Sequence, residues 1–180
     1  MYPVVRLLFQ SWRHRADPPL PLVGEHRSRH LCWPWDLDIF LELNNGRTLS
    51  LYDLGRVPWA RRIGLTPALR REGWQVAVAG ASVRWRKRVH AFQPIAMRTR
   101  ALGWDHRFFY VEQSMWLPSG DCASHILIRS AVTDANGIVV PARVLAAMGQ
   151  QDAAPPDPPP WARAWIEAES LRPWPPMPQA

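Results

Sequence analysis

The chain has 180 residues, enough for one compact domain with a self-supporting core, since single domains span about 100–200 residues. Hydrophobic types make up 47% and charged types 21%, the balance of a globular chain, which excludes disordered, collagen-like and disulfide-scaffold classes. The net charge of +7 makes an anionic partner worth testing and says nothing about fold. Eleven Trp and nineteen Pro stand out, and Lys87 is the single lysine beside 21 arginines; that skew reflects genome composition and carries no functional weight.

In chain order, Tyr2-Pro3-Val4-Val5-Arg6-Leu7-Leu8-Phe9 is apolar but interrupted by Arg6 and followed by Arg13 and Arg15. It lacks a small-residue cleavage site, so it does not read as a signal peptide. A short helix fits, able to rest on a membrane surface as a basic amphipathic element, with packing on the body of the protein as the expected use. No run reaches the roughly 18 apolar residues of a membrane span, so no stable membrane insertion is expected and the cytoplasm is the default compartment. Residues 30–35 read as a short strand. From Asn45 onward, Leu51, Leu54, Gly55, Trp59 and Ile63 recur at helical spacing, with a kink or break expected near Val57 because Pro58 removes a donor. Thr66-Pro67 predicts the start of a second helix and Gly73 its end. Four strands follow at about 75–90, 94–104, 106–117 and 121–133, with near two-residue alternation and short turns that force antiparallel neighbours. Pro141 to Met148 predicts a closing helix that Gly149 terminates.

Residues 151–180 hold nine of the prolines and a charge of −2, which leaves +9 on residues 1–150. This tail is expected to be extended or docked, with one short helix from Trp161 to Leu171 presenting Trp161, Trp165 and Ala168 on one face. Cys32 and Cys122 lie in apolar, strand-like stretches without ligand-spaced partners, which predicts small buried residues rather than a disulfide framework or a metal site. One strand, one long helix and four antiparallel strands predict an α+β fold whose sheet wraps around a central helix, because that helix is the only element able to cover the sheet's apolar face. Periodicity alone leaves other α+β folds open.

The densest polar cluster, Asp36-Leu37-Asp38-Ile39-Phe40-Leu41-Glu42-Leu43-Asn44-Asn45-Gly46-Arg47, sits ahead of the long helix. A carboxylate among apolar neighbours can act as base or nucleophile when desolvation raises its pKa. The first N–H groups of the helix can hold an oxyanion, so the two together make a workable acyl-transfer site. Asx residues ahead of a helix are also its ordinary caps, and Asn44 and Asn45 fit that role. Glu42 also fits a solvated acid at the helix start.

The string Asp36-x-Asp38-x-x-x-Glu42-x-Asn44-Asn45 resembles the D-x-D-x-x-x-H-x-N-N signature of the 4-hydroxybenzoyl-CoA-thioesterase-like branch of hotdog-fold acyl-CoA thioesterases. The flanks, Trp33-Pro34-Trp35 before it and Leu51-Tyr52-Asp53-Leu54-Gly55-Arg56 after it, are similar as well, as are residues 79–86 and 103–113. The resemblance covers about residues 25–149, leaving an N-terminal segment (1–24) and a Pro- and Trp-rich tail (150–180) outside it. It implies a hotdog fold and hydrolysis of an acyl-CoA to free acid and coenzyme A without a cofactor or metal. It also implies a homodimer or homotetramer with sites at the subunit interface. By this resemblance Asp38 is the catalytic carboxylate, with Glu42 and Asn45 beside it. Asn44, Gly46 and Arg47 belong to the substrate-binding start of the helix.

Two positions depart from the family. Glu42 stands where the family has histidine, and an ionised Glu only accepts hydrogen bonds, so the site either couples two carboxylates or binds acyl-CoA without turnover. Thr48 stands where many members carry an aromatic, which implies a differently shaped acyl pocket. Within the basic run Arg84 to Arg88, strand alternation puts Arg84, Arg86 and Arg88 on one face. A solvated face is the first reading, Arg84 and Arg86 on the phosphates of coenzyme A the second, and nucleic acid the third, so no nucleic-acid partner is expected. His125 reads as a satisfied core or interface residue.

Overall fold

A computed structural model describes residues 2–173 and 175–176. Helix α1 (Val4–Arg13) precedes strand β1 (His26–Leu31), the central helix α2 (Asn45–Arg62) and the shorter α3 (Leu65–Glu72). Strands β2 (Gln75–Trp85), β3 (Pro94–Trp104), β4 (Phe109–Trp116), β5 (Cys122–Asp134) and β6 (Gly137–Val139) follow, then helices α4 (Pro141–Ala147) and α5 (Pro160–Leu171). The strands form one antiparallel sheet in the order β1-β3-β4-β5-β2, with β6 pairing on β5. This is the expected hotdog architecture, with α2 held against the inner face of the curled sheet.

The expected alternation is visible in the packing. Val111, Met115, Ile126 and Ile128 point inward to meet Leu51, Tyr52, Leu54 and Trp59 of α2. Leu102, Tyr110 and Leu127, one residue out of phase, point to the outer face. Strand β1 begins and ends about four residues earlier than its sequence suggests, because Trp33-Pro34 turns the chain into a single 3₁₀ turn at Pro34–Asp36. Helix α2 runs unbroken through Pro58, contrary to the expected kink. Pro58 lies on the buried stripe with Gly55 and Trp59, and that tertiary packing outweighs one lost helical hydrogen bond. Gly55 permits close contact between helix and sheet: a Cβ there would lie 2.6 Å from Met97 Sδ and 3.0 Å from Thr99 Oγ1.

Both segments outside the hotdog unit are docked. Helix α5 lies across the outer face of the sheet, where Ala162, Trp165 and Ile166 meet Leu102, Tyr110 and Leu127. Its inward face is thus Ala162, Trp165 and Ile166 rather than the expected Trp161, Trp165 and Ala168; Trp161 instead packs edge-on against His125. Helix α1 packs beside α2. Strand β2 is an edge of the sheet, and most of its side chains, including Val76 and Val78, are exposed. Among the described residues no helix is long and apolar enough to cross a membrane.

Candidate active site

The polar cluster forms a tight hairpin leading into α2. Leu37 bridges Leu43, Asp38 N–H donates to the Glu42 carbonyl (2.9 Å), and Leu41 N–H donates to the Asp38 carbonyl (3.1 Å). At its tip Ile39, Phe40 and Leu41 are exposed, and Leu41 takes a left-handed backbone (φ 58°) that bulky residues rarely adopt. Asp38 is half-buried at the base of this turn, and its Oδ1 accepts from Phe40 N–H (2.8 Å).

The first acid of the string, Asp36, is the anchor of the region. It is completely buried, with Oδ1 accepting from Arg47 Nε (2.6 Å) and Oδ2 from Arg6 Nη1 (2.6 Å) and the Trp33 N–H (3.0 Å). Arg47 is therefore committed to Asp36. Asn44 caps α2 as its residue type predicts, its Oδ1 accepting from Arg47 N–H (2.9 Å). That cap leaves the N–H groups of Asn45 and Gly46 without an acceptor among the described residues.

Two cavities open on either side of this helix start. The smaller, about 210 Å³, gathers Glu42, Asn45 and Thr48 with Arg86, Lys87 and Arg88. Glu42 Oε2 lies 2.9 Å from Arg88 Nε as an ion pair. At the cavity's inner end Ser124 meets the buried Tyr52 hydroxyl at 2.8 Å, and burial raises the Tyr52 pKa. The larger, about 900 Å³, has Asn44, Gly46, Arg47 and Ser50 on one wall and residues 2–6 with Trp35 on the other. Asp38 lines neither cavity.

The basic run does not share one strand face. Strand β2 ends at Trp85, and the Arg86 and Lys87 N–H groups both donate to the Ala123 carbonyl (2.8 and 3.2 Å), bending the chain toward the smaller cavity. Arg84 stays on the strand, directly across from His125 and so on the outer face, away from Arg86. On that face His125 Nε2 lies 2.9 Å from Glu112 Oε1, and this bond, with Arg100 beside it, holds the Glu112 carboxyl below its ordinary range. Cys32 is buried, which pushes its thiol up to about 11, and Cys122 is half-buried; both are free.

Sequence reasoning had no signal for Arg6, which reaches Asp36 across thirty positions, or for the Tyr52–Ser124 contact across seventy-two. It also missed a cluster of His14, Asp17 and His26 with metal-ligand chemistry. There Arg62 Nη1 lies 3.0 Å from His26 Nδ1 and 3.5 Å from Asp17 Oδ2, so a guanidinium already occupies the position of a cation.

The sequence profile of the thioesterase-like superfamily matches residues 32–166, extending beyond the expected 25–149 unit into α5. Relatives named Protein THEM6 occur in Xenopus laevis, Drosophila melanogaster and Danio rerio. The one from Xenopus laevis is 30% identical over 146 residues, 81% of this chain and 69% of the relative. The one from Drosophila melanogaster is 29% identical over 112 residues, 61% of this chain and 58% of the relative, so the chain spans only part of their length. Among solved structures, YbaW, a probable thioesterase from Escherichia coli, superposes with a TM-score of 0.59 at 16% identity, covering 70% of this chain and 97% of that one. The DHNA-CoA thioesterase from Staphylococcus aureus gives 0.60 at 10% identity, covering 82% and 92%. These structural likenesses establish the fold. With the profile spanning three quarters of its length, the chain belongs to the thioesterase-like superfamily.

Proposed function

We propose that this chain hydrolyses an acyl-CoA thioester to free acid and coenzyme A, in the cytoplasm, as a homodimer or homotetramer whose sites are completed by a second copy. The observation that carries this reading is the start of α2. There the Asn45 and Gly46 N–H groups stand without acceptors among the described residues, Asn45 beside the smaller cavity with Glu42, Arg86, Lys87 and Arg88, and Gly46 on the wall of the larger. Two backbone donors at a helix N-terminus suit a thioester carbonyl and the oxyanion it becomes. Basic side chains at the cavity rim suit the phosphates of coenzyme A.

Asp38, at the base of the hairpin and outside both cavities of the single chain, supplies the carboxylate in a site that the second copy completes. As base, it accepts the proton of the attacking water, the tetrahedral oxyanion forms, and collapse breaks the C–S bond and releases the thiolate, which is then protonated. As nucleophile, it attacks the thioester carbonyl, the C–S bond breaks with release of the coenzyme A thiolate, and water opens the resulting mixed anhydride to the free acid and the restored Asp38 carboxylate. The exposed, unpaired edge of β2 supports assembly with a second copy, which would bring further groups to the open side of α2. The basic run serves a cavity rim and not a nucleic-acid face.

Purified protein assayed with a panel of acyl-CoAs and a thiol reagent is expected to show turnover that Asp38→Asn lowers by about 100-fold or more. Unchanged turnover in Asp38→Asn would overturn the assignment. A second reading, an acyl-CoA or acyl-carrier binder without turnover, is favoured by the Glu42–Arg88 ion pair, which gives the cavity an acceptor already engaged in place of the family's histidine. Micromolar binding with no thiol release from the native protein would select it.

A further inference from the structure

Helix α1 is docked inside out. Its mainly polar side faces the protein: Arg6 reaches Asp36 and the Leu31 carbonyl (2.8 Å), Gln10 is buried, and Leu7 alone of its large apolar residues packs against the core. Just beyond it, His14 pairs with Asp17 (2.7 Å). Its apolar side, Val4, Val5, Leu8, Phe9 and Trp12, faces outward with each residue 51–81% exposed. A surface helix of a globular protein ordinarily shows the opposite arrangement. Trp35, 66% exposed, shares a cavity wall with Val4 and Val5 and extends the apolar surface past the end of the helix. Arg13 and Arg15 border the patch at the other end, with the Arg15 guanidinium 4.5 Å above the Trp12 ring.

We infer that the outward face of α1, with Trp35, docks on an anionic lipid bilayer surface. The occupant follows from composition and charge. Five apolar side chains on one helical face, a tryptophan at its edge and arginines alongside match a helix lying in the plane of a bilayer interface, where the arginines pair with anionic headgroups. A second copy of the same face would instead bring no acidic residue of α1 to pair with Arg13 and Arg15, in a chain of net charge +7. Docking sets the mouth of the 900 Å³ cavity, walled by Val4, Val5 and Trp35 on one side and Gly46 and Ser50 on the other, against the membrane. An amphiphilic acyl thioester would be met there. The docking itself does not require turnover.

The test uses the full chain with sedimenting vesicles of phosphatidylcholine alone or of equimolar phosphatidylglycerol and phosphatidylcholine. Binding is expected to the anionic vesicles, weaker at about 0.5 M salt than at about 0.1 M. The double variant Val5→Asp, Leu8→Asp is expected to lower partitioning by about tenfold or more while its thermal unfolding matches the native chain, both sites being exposed. No binding to anionic vesicles, equal binding to neutral ones, or undiminished binding of the double variant would each overturn the inference. So would a fall in solution mass on making the double variant without any vesicle binding, which would assign the face to a second copy.

Discussion

Helices α1 and α5 are attached to the same hotdog unit by opposite physics. Helix α5 buries small and apolar side chains, Ala162, Trp165 and Ile166, against outward-pointing residues of three strands, and adds beside them a longer ion pair to the sheet, Arg129–Glu169 at 3.5 Å. Helix α1 pairs a guanidinium with a buried carboxylate, packs Leu7 on the core and keeps Val4, Val5, Leu8, Phe9 and Trp12 in solvent. Apolar docking is non-directional and tolerant of repacking. Docking through Arg6 and Asp36 depends on one charge in one place, and it leaves an apolar surface free for something else.

The largest expected effect is on that charge. Asp36→Ala leaves Arg6 and Arg47 facing a buried void, and loss of a buried ion-pair partner costs about 3–5 kcal/mol. Denaturant unfolding should show that loss, with proteolysis of α1 preceding that of α5. Acidification discriminates next. Desolvation lowers the pKa of His26 to about 4, aided by His14 and Arg62, and desolvation with Arg6 lowers that of His30 to about 3. The unfolded chain therefore binds protons near the ordinary value of 6.5 that the folded chain refuses. Stability is fully present above that pH and falls as the pH drops toward 4, by about 2 kcal/mol per histidine near pH 5. The added proton would go to His26 Nδ1, the nitrogen that accepts from Arg62, and so would set two cations against each other. Hydrogen exchange at pH 7 and near pH 5 should show loosening of β1 and α1 while the Ala162 contact of α5 holds. The smallest effects come as a matched pair. Ala162→Asp places a charge at a fully buried contact and should cost about 1–3 kcal/mol, limited by α5 lifting away. Val5→Asp, at 81% exposure, should change the thermal midpoint by the equivalent of about 0.5 kcal/mol or less.

Most of the sheet was legible because its side chains obey a two-residue period over long runs, and turn residues separate those runs. The capping role of Asn44 and the stop at Gly73 were legible for the same reason: each acts on neighbours within four positions. What failed required distant partners. Local rules predict a break at Pro58, but helix continuity is decided by the sheet packed beneath it. Residue alternation assigned Arg86 to the face of Arg84, but the hydrogen bonds to the Ala123 carbonyl end the strand first. The apolar face of α1 suggested docking on the body, and only the position of Asp36 reveals why its polar face is the one turned inward. In the candidate site Asn45 and Glu42 share one cavity, whereas Asp38 lines neither cavity, Arg47 is drawn off to Asp36 and Arg84 to the opposite side of the sheet.

The close contact at Gly55 has a consequence ten residues away. A helix of eighteen residues behaves as a stiff rod, so its standoff from the sheet at Gly55 fixes how deep the Asn45 and Gly46 amides sit. With Met97 Sδ only 2.6 Å from where a methyl group would go, the absent side chain works as a gauge, setting the depth of those amides to within about the width of one carbon atom.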